Sequence, residues 1–238
     1  MASLRELGKV RRIQRILDAA ARIIEADGID ALSMQNLADE AEVSISTLYN
    51  LVGGKEAILL MLLAVTIEDL EMTEPGPDAE PITALGSLID DFVSSFGRRE
   101  SLYRPLLLSL EGHPIMGQGA DELRLRTITL VEEFVADAVD AGLLDDVIPA
   151  SVIAHHVLVT AQMGLRNWTI GVTELEGFRA EVQCGLWLTL LAVATPSTRE
   201  RLLGEIAALE PAITELAEFS RDAPPGPRID DALALGSP

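Results

Sequence analysis

The sequence predicts an all-α fold, and three observations carry that reading. Apolar residues make up 48% of the 238-residue chain and aromatics only 4%, and the apolar share is dominated by Ala and Leu, which are good helix formers. Apolar residues recur at three- and four-residue spacing along most of the chain, the period of one helix face. Glycine and proline fall between these periodic stretches, where helices stop and start. The length suffices for one large or two small domains with a sizeable core.

In chain order, residues 1–8 read as a loose arm, since termini are usually untethered. A first helix is expected over residues 9–27, with Ile13, Ile16, Leu17, Ala20, Ile23 and Ile24 as its inward stripe and Gly28 as its stop. Residues 33–56 read as two short helices around a tight turn. Ser33 is placed to cap the first of them by accepting an orphan backbone N–H, and Ser44 the second. Leu37, Ala38 and Ala41 would face inward, and Glu42-Val43 would make the turn. On the second short helix Ile45 and Leu48 are expected to pack, leaving Ser46, Thr47, Tyr49 and Asn50 outside. Gly53-Gly54 ends it, because glycine takes left-handed conformations cheaply. A short capped helix exposing hydroxyls, an amide and a phenol suits a DNA major groove.

A fourth helix should run from Lys55 toward Glu71, apolar nearly all round at first and so buried on several sides. Residues 73–81, with three prolines and a glycine, read as a linker. Further helices are expected over 82–98, 100–111, 121–141, 149–171, 173–195 and 196–218. Gly112, Pro114, Gly117 and Gly119 are expected to break the chain before the seventh, and Pro211 to kink or break the last. The eighth and ninth helices are weakly charged in the middle and carry small residues, Ala161, Gly164, Gly185 and Ala192, so something must cover them. Prolines 224, 225 and 227 mark a tail expected to lack order.

The run from Ala38 to Leu60, A-D-E-A-E-V-S-I-S-T-L-Y-N-L-V-G-G-K-E-A-I-L-L, resembles the DNA-binding signature of TetR-family transcriptional repressors, and the preceding I-L-D-A-A-A-R-I-I-E-A-D-G-I-D-A-L-S resembles that family's first helix. Together they cover about the first 60 residues. The chain departs from the pattern at Glu42, where glycine is usual, at Leu51 and Val52, where aromatics are usual, and at Gly53-Gly54 in place of Pro-Ser. The resemblance implies a three-helix helix-turn-helix domain over residues 1–54, a larger helical ligand-binding and dimerisation domain over 55–219, and a tail over 220–238. It implies phosphate contacts for Thr47, Tyr49 and Lys55, and Ser46 and Asn50 are the candidates for base edges. Ser33, Ser44 and Arg11 complete the DNA-contacting set. A ligand pocket is implied too, with Phe92, Phe96, Tyr103, Phe134, Gln162, Met163, Asn167 and Trp168 as candidate lining, and Met116 beside them. The implied partners are a double-stranded operator, a small-molecule effector, and a second copy joined through helices 8 and 9 as a C2 dimer. The implied function is a repressor released by its ligand. The alternative is a small-molecule sequestering protein whose reading head no longer binds DNA specifically.

The net charge of −20 is unevenly distributed. Residues 1–60 hold seven Lys/Arg and nine Asp/Glu, whereas residues 61–238 hold eleven and twenty-nine. Within residues 1–15, Arg5, Lys9, Arg11, Arg12 and Arg15 stand against Glu6 alone. Phosphate contacts need such a local basic cluster rather than a basic whole, and an acidic remainder favours one docking orientation. A single cysteine, Cys184, excludes an internal disulfide and fits the cytoplasm. No apolar signal segment is expected, and the apolar run over 185–195 is too short to span a bilayer. His155 and His156 are adjacent and point about 100° apart on a helix, so they are not an i, i+4 metal pair. An enzyme reading would need Cys184 as nucleophile with one of these histidines as base, and nothing supplies an orienting third group. No cofactor motif is present.

Overall fold

The computed structural model describes residues 4–68, 79–111 and 116–222, and side chains are described within 8–65, 79–111 and 125–214 together with Glu6. Ten α-helices and one 3-10 turn make up the described residues: α1 (Leu4–Asp27), the turn Ile29–Ala31, α2 (Met34–Glu40), α3 (Ile45–Val52), α4 (Lys55–Glu68), α5 (Pro81–Arg98), α6 (Glu100–Ser109), α7 (Met116–Asp140), α8 (Ala150–Thr169), α9 (Leu175–Leu191) and α10 (Pro196–Asp222). The all-helical expectation holds. No single helix among them is long and apolar enough to cross a membrane.

Helix α1 is the post around which the N-terminal part is built. Its stripe of Ile16, Leu17, Ala20, Ile23 and Ile24 is buried and the helix packs on α2, α3, α4 and α6. Leu37 and Ala38 of α2, Leu48 and Val52 of α3, and Ile58, Leu59, Leu62 and Leu63 of α4 close the same core. The rest is a second group of helices, in which α8 packs on α9, α10 on α9, α7 on α8, and α5 on α7 and α9. Glu80 caps α5, accepting from the Thr83 N–H at 2.8 Å, and pairs with Arg201 of α10 at 3.1 Å. Burial pushes Glu80 up, but the hydrogen bonds from Thr83 and Arg201 outweigh it and hold the carboxyl below its ordinary value.

Five sequence expectations change. Helix α1 starts at Leu4, so residues 4–8 are helical rather than a loose arm. Gly117 and Gly119 lie inside α7, where each costs about 1 kcal/mol against alanine, too little to stop a 25-residue helix. Helix α10 runs through Pro211 without a break. Pro211 is exposed, so water can serve the carbonyl that its missing N–H frees. Helix α9 ends at Leu191, short of residue 195, where the 195–198 turn caps the next helix. Residues 220–222 continue α10, and the expected linker (apart from residues 79–81) and the remainder of the expected tail fall outside the described residues.

The small residues of α8 and α9 are explained by close approach. A Cβ at Gly164 would stand 2.9 Å from Val182 Cγ2 and 3.0 Å from the Phe178 ring. A Cβ at Gly185 would overlap the Thr160 side chain. Gly185→Ala should therefore destabilise the fold by about 1–3 kcal/mol in urea unfolding, and Thr160→Ala in the same chain should restore part of that loss. Equal stability of Gly185→Ala and the parent would contradict this packing.

Candidate nucleic-acid interface

The reading head depends on two caps and one tight turn. Ser33 is in extended conformation and its hydroxyl accepts from the Asn36 N–H at 3.1 Å, starting α2. Asn36 also donates through its amide to the Ala31 carbonyl at 2.9 Å, fixing the entry to the helix. After α2, the Val43 N–H bonds the Ala38 carbonyl at 2.9 Å and the Glu42 N–H bonds the Asp39 carbonyl at 3.2 Å. These two bonds are a Schellman closure, which requires a left-handed residue. Glu42 supplies it at φ 53°, the one described non-glycine with positive φ. The departure seen in the sequence is thus accommodated at a conformational cost, and the turn keeps its shape.

Helix α3 begins where the Ser44 hydroxyl accepts from the Thr47 N–H at 3.1 Å. The same oxygen lies 2.9 Å from Ser46 Oγ and 2.7 Å from Thr47 Oγ1. Three hydroxyls are therefore clustered at the helix N-terminus, where free backbone N–H groups and the helix dipole favour a phosphate. Leu48 and Val52 anchor α3 to the core. Ile45, expected to pack, is instead 38% exposed. The buried pair is spaced by four, Leu48 with Val52, and Ile45 lies on the first turn at the rim. The unusual Val52 is thereby accounted for as the second anchor.

The predicted residues of α3 differ in exposure. Ser46 and Asn50 are exposed, Thr47 is half-buried, and Tyr49 is 56% exposed rather than packed on α1. Lys9, Arg11, Arg12 and Arg15 are exposed along α1. Lys55, at the start of α4, donates to the Ile29 carbonyl at 3.0 Å and pins α4 to the turn after α1. Arg22 of α1 pairs with Glu40 of α2 at 2.9 Å, a surface contact of small worth.

In the body, Phe92, Phe96, Tyr103 and Trp168 come together, joined by Phe178, with ring centroids 5.1–6.3 Å apart. Arg104 lies over the Trp168 ring, 4.9 Å from its centroid. Phe134 is half-buried on α7. Asn167 donates to Glu181 of α9 at 3.0 Å, so this amide is partnered within the protomer. Gln162 and Met163 face outward on α8, apart from the aromatic group. The Met116 side chain lies outside the described residues. Phe178 and Arg104 were missed by sequence reasoning. The available signal was an arginine inside the apolar run 102–110. Asp90 accepts from Arg179 and Gln183, each at 2.8 Å, and so is committed to α9. Burial pushes the Cys184 thiol up, away from the thiolate a nucleophile needs.

A capped second helix held by its inner face against a three-helix core, with a tight turn before it, is the arrangement of a helix-turn-helix unit. Residues 16–62 match the model of the bacterial regulatory proteins of the tetR family. It is 25% identical over 177 residues to the HTH-type transcriptional repressor DrrR1 of Streptomyces coeruleorubidus, covering 71% of this chain and 61% of that protein. The chain thus spans about three fifths of the length of the curated relative it matches. Among solved structures it resembles the Flavonoid-responsive Regulator FrrA, at 23% identity and TM-score 0.54, over 79% of this chain and 99% of that one. It also resembles Thermus thermophilus FadR in complex with lauroyl-CoA, at 22% identity and TM-score 0.56, over 77% and 95%. These structural likenesses show the fold.

The left-handed Glu42 gives a direct check. Glu42→Gly should raise stability by about 0.5–1 kcal/mol, because glycine avoids the Cβ clash of that conformation and loses only part of the gain to backbone entropy. Chemical denaturation measures it, and a loss of stability would mean that the turn is not left-handed.

Proposed function

We propose that this protein is a dimeric, ligand-responsive DNA-binding repressor, acting in the cytoplasm and not as an enzyme. The observation that carries the reading is the outward face of α3, where Ser46, Tyr49 and Asn50 are exposed on a helix fixed from behind by Leu48 and Val52. Amide and hydroxyl groups read base edges, and Thr47, Tyr49 and the basic stripe of α1, Arg11 included, hold phosphates. Ser33 and Ser44 act through the caps that set these helices. The names of the relatives, a transcriptional repressor and a flavonoid-responsive regulator, support the same role.

The proposed division is a reading head over residues 1–54 and a body over 55–219. The body would bind a small molecule among its aromatic residues and join a second copy through α8 and α9. That face exposes Val152, Val159, Met163 and Leu188. A groove of about 490 Å³ runs there between the two helices, lined by Ile148, Val152, Ile153 and Leu188 around His156. Exposed apolar side chains in one stripe are surface that a partner covers. A two-fold dimer places two α3 helices on half-sites about 34–36 Å apart or a multiple of that. The effector acts only through different affinities for the DNA-competent and incompetent spacings.

Two measurements test this. On DNA flanking the protein's own gene, fluorescence anisotropy across a salt series should show specific binding about a thousandfold or more above random DNA, with log K falling steeply against log salt. Tyr49→Ala should weaken that binding about tenfold while leaving the fold intact. Equal affinity for flanking and random DNA would count against an operator there. Separately, sedimentation should give a dimer for the parent chain and a monomer for Leu188→Glu with Met163→Glu, since each change places a charge in an apolar contact. A dimer that survives both changes would contradict the proposed face.

A further inference from the structure

We propose that the aromatic group of the body takes a planar aromatic ligand bearing a neutral carbonyl oxygen, which accepts from Trp168 Nε1 and Arg104 Nε. This deepens the ligand-responsive reading and rests on it. Among the described residues four buried side-chain polar atoms lack a hydrogen-bond partner: Glu80 Oε1, Arg104 Nε, Arg104 Nη2 and Trp168 Nε1. Arg104 Nη2 is met by the Glu100 carboxylate as an ion pair at 3.0 Å, which leaves two unserved donors, Arg104 Nε and Trp168 Nε1, on residues in contact, since Arg104 Cζ lies 4.9 Å from the Trp168 ring centroid. Buried donors are almost always satisfied, so two neighbouring donors without an acceptor mark a place where an acceptor binds.

The surroundings narrow the chemistry of that acceptor. Arg104 Nη2 lies 3.0 Å from Glu100 Oε1 and 3.6 Å from Glu174 Oε2. Its charge is therefore already met, in a chain whose net charge is −20. An anionic ligand would bring a further negative charge to that site, whereas a neutral carbonyl brings lone pairs alone. Glu100 does not relieve Nε, and the indole N–H has no acceptor. The walls narrow the body of the ligand. Phe96 and Phe178 contact Trp168, and Phe92 and Tyr103 pack on Phe96, in edge, tilted and stacked arrangements, the geometries in which a flat aromatic ring is held. Trp168 itself is fully buried, so its N–H can be reached only by a group that enters this wall.

Equilibrium dialysis of the full chain against three probes tests the proposal without DNA. The probes are 9-fluorenone, fluorene, which lacks the carbonyl, and fluorene-9-carboxylate, which carries a charge instead. Fluorenone should bind about tenfold or more tightly than either of the others, the discrimination expected when buried donors are left unpaired by the analogue. Trp168→Phe keeps a ring and removes the N–H, and Arg104→Met keeps the stem and removes the donors. Each should bring the fluorenone-to-fluorene ratio to within about threefold of unity, a readout that loss of packing alone would not move. Equal binding of ketone and hydrocarbon would mean that water serves these donors, and would overturn the proposal. So would tighter binding of the carboxylate, absence of binding by all three, or a ratio that survives both substitutions. None of these outcomes bears on operator binding, so the wider reading stands or falls separately.

Discussion

The burial of one apolar stripe on α1 is the constraint on which the reading head depends. Helices α2 and α3 have 7 and 8 residues, and isolated helices shorter than about 12–15 residues are marginal in water. They persist because Leu37, Ala38, Leu48 and Val52 are buried with Ile16, Leu17, Ala20 and Ile24 in one core. The Ser33 and Ser44 caps and the left-handed Glu42 then fix the angle between the two short helices. The outward side chains of α3 are placed by that inner packing, so their presentation is a consequence of the core.

The same helix joins the head to the body. Glu25, near the end of α1, accepts from Arg99 at the α5–α6 corner at 2.8 Å. Further along α6, Tyr103 meets Phe96 at 5.1 Å and Arg104 lies over Trp168. Helix α6 therefore touches both α1 and the aromatic group. A change in the rings has a direct mechanical route to the reading head through this helix, in addition to the covalent link to α4. A differential affinity of ligand for two positions of α6 is what would turn that contact into regulation.

Much of this was legible in the sequence, and the reasons are local. Caps, stops and stripes are written within a few residues of where they act. Ser33, Ser44, Gly28 and Gly53 were readable for that reason, and both glycines do take positive φ. The misses involve competition between local preference and distant packing. Gly117, Gly119 and Pro211 are local break signals, yet helices run through them. The spacing of Ile45 to Leu48 favours an inward Ile45, whereas the spacing from Leu48 to Val52 decides which face is buried. In the candidate site, the exposed set on α3 followed from one short helix and was readable. The gathering of Phe92, Phe96, Tyr103, Trp168 and Phe178 draws on four helices, and the place of Arg104 beside them depends on tertiary contacts that no local pattern encodes.

In the proposed function, two copies of this reading head recognise DNA as a symmetric pair. Selection of bound sequences from a random duplex library, followed by hydroxyl-radical footprinting of the winner, tests it most directly. The account predicts an inverted repeat with two equivalent protected patches whose centres lie about one helical turn apart, or a whole multiple of it. A library that yields no enriched sequence, or a single asymmetric patch, would contradict it.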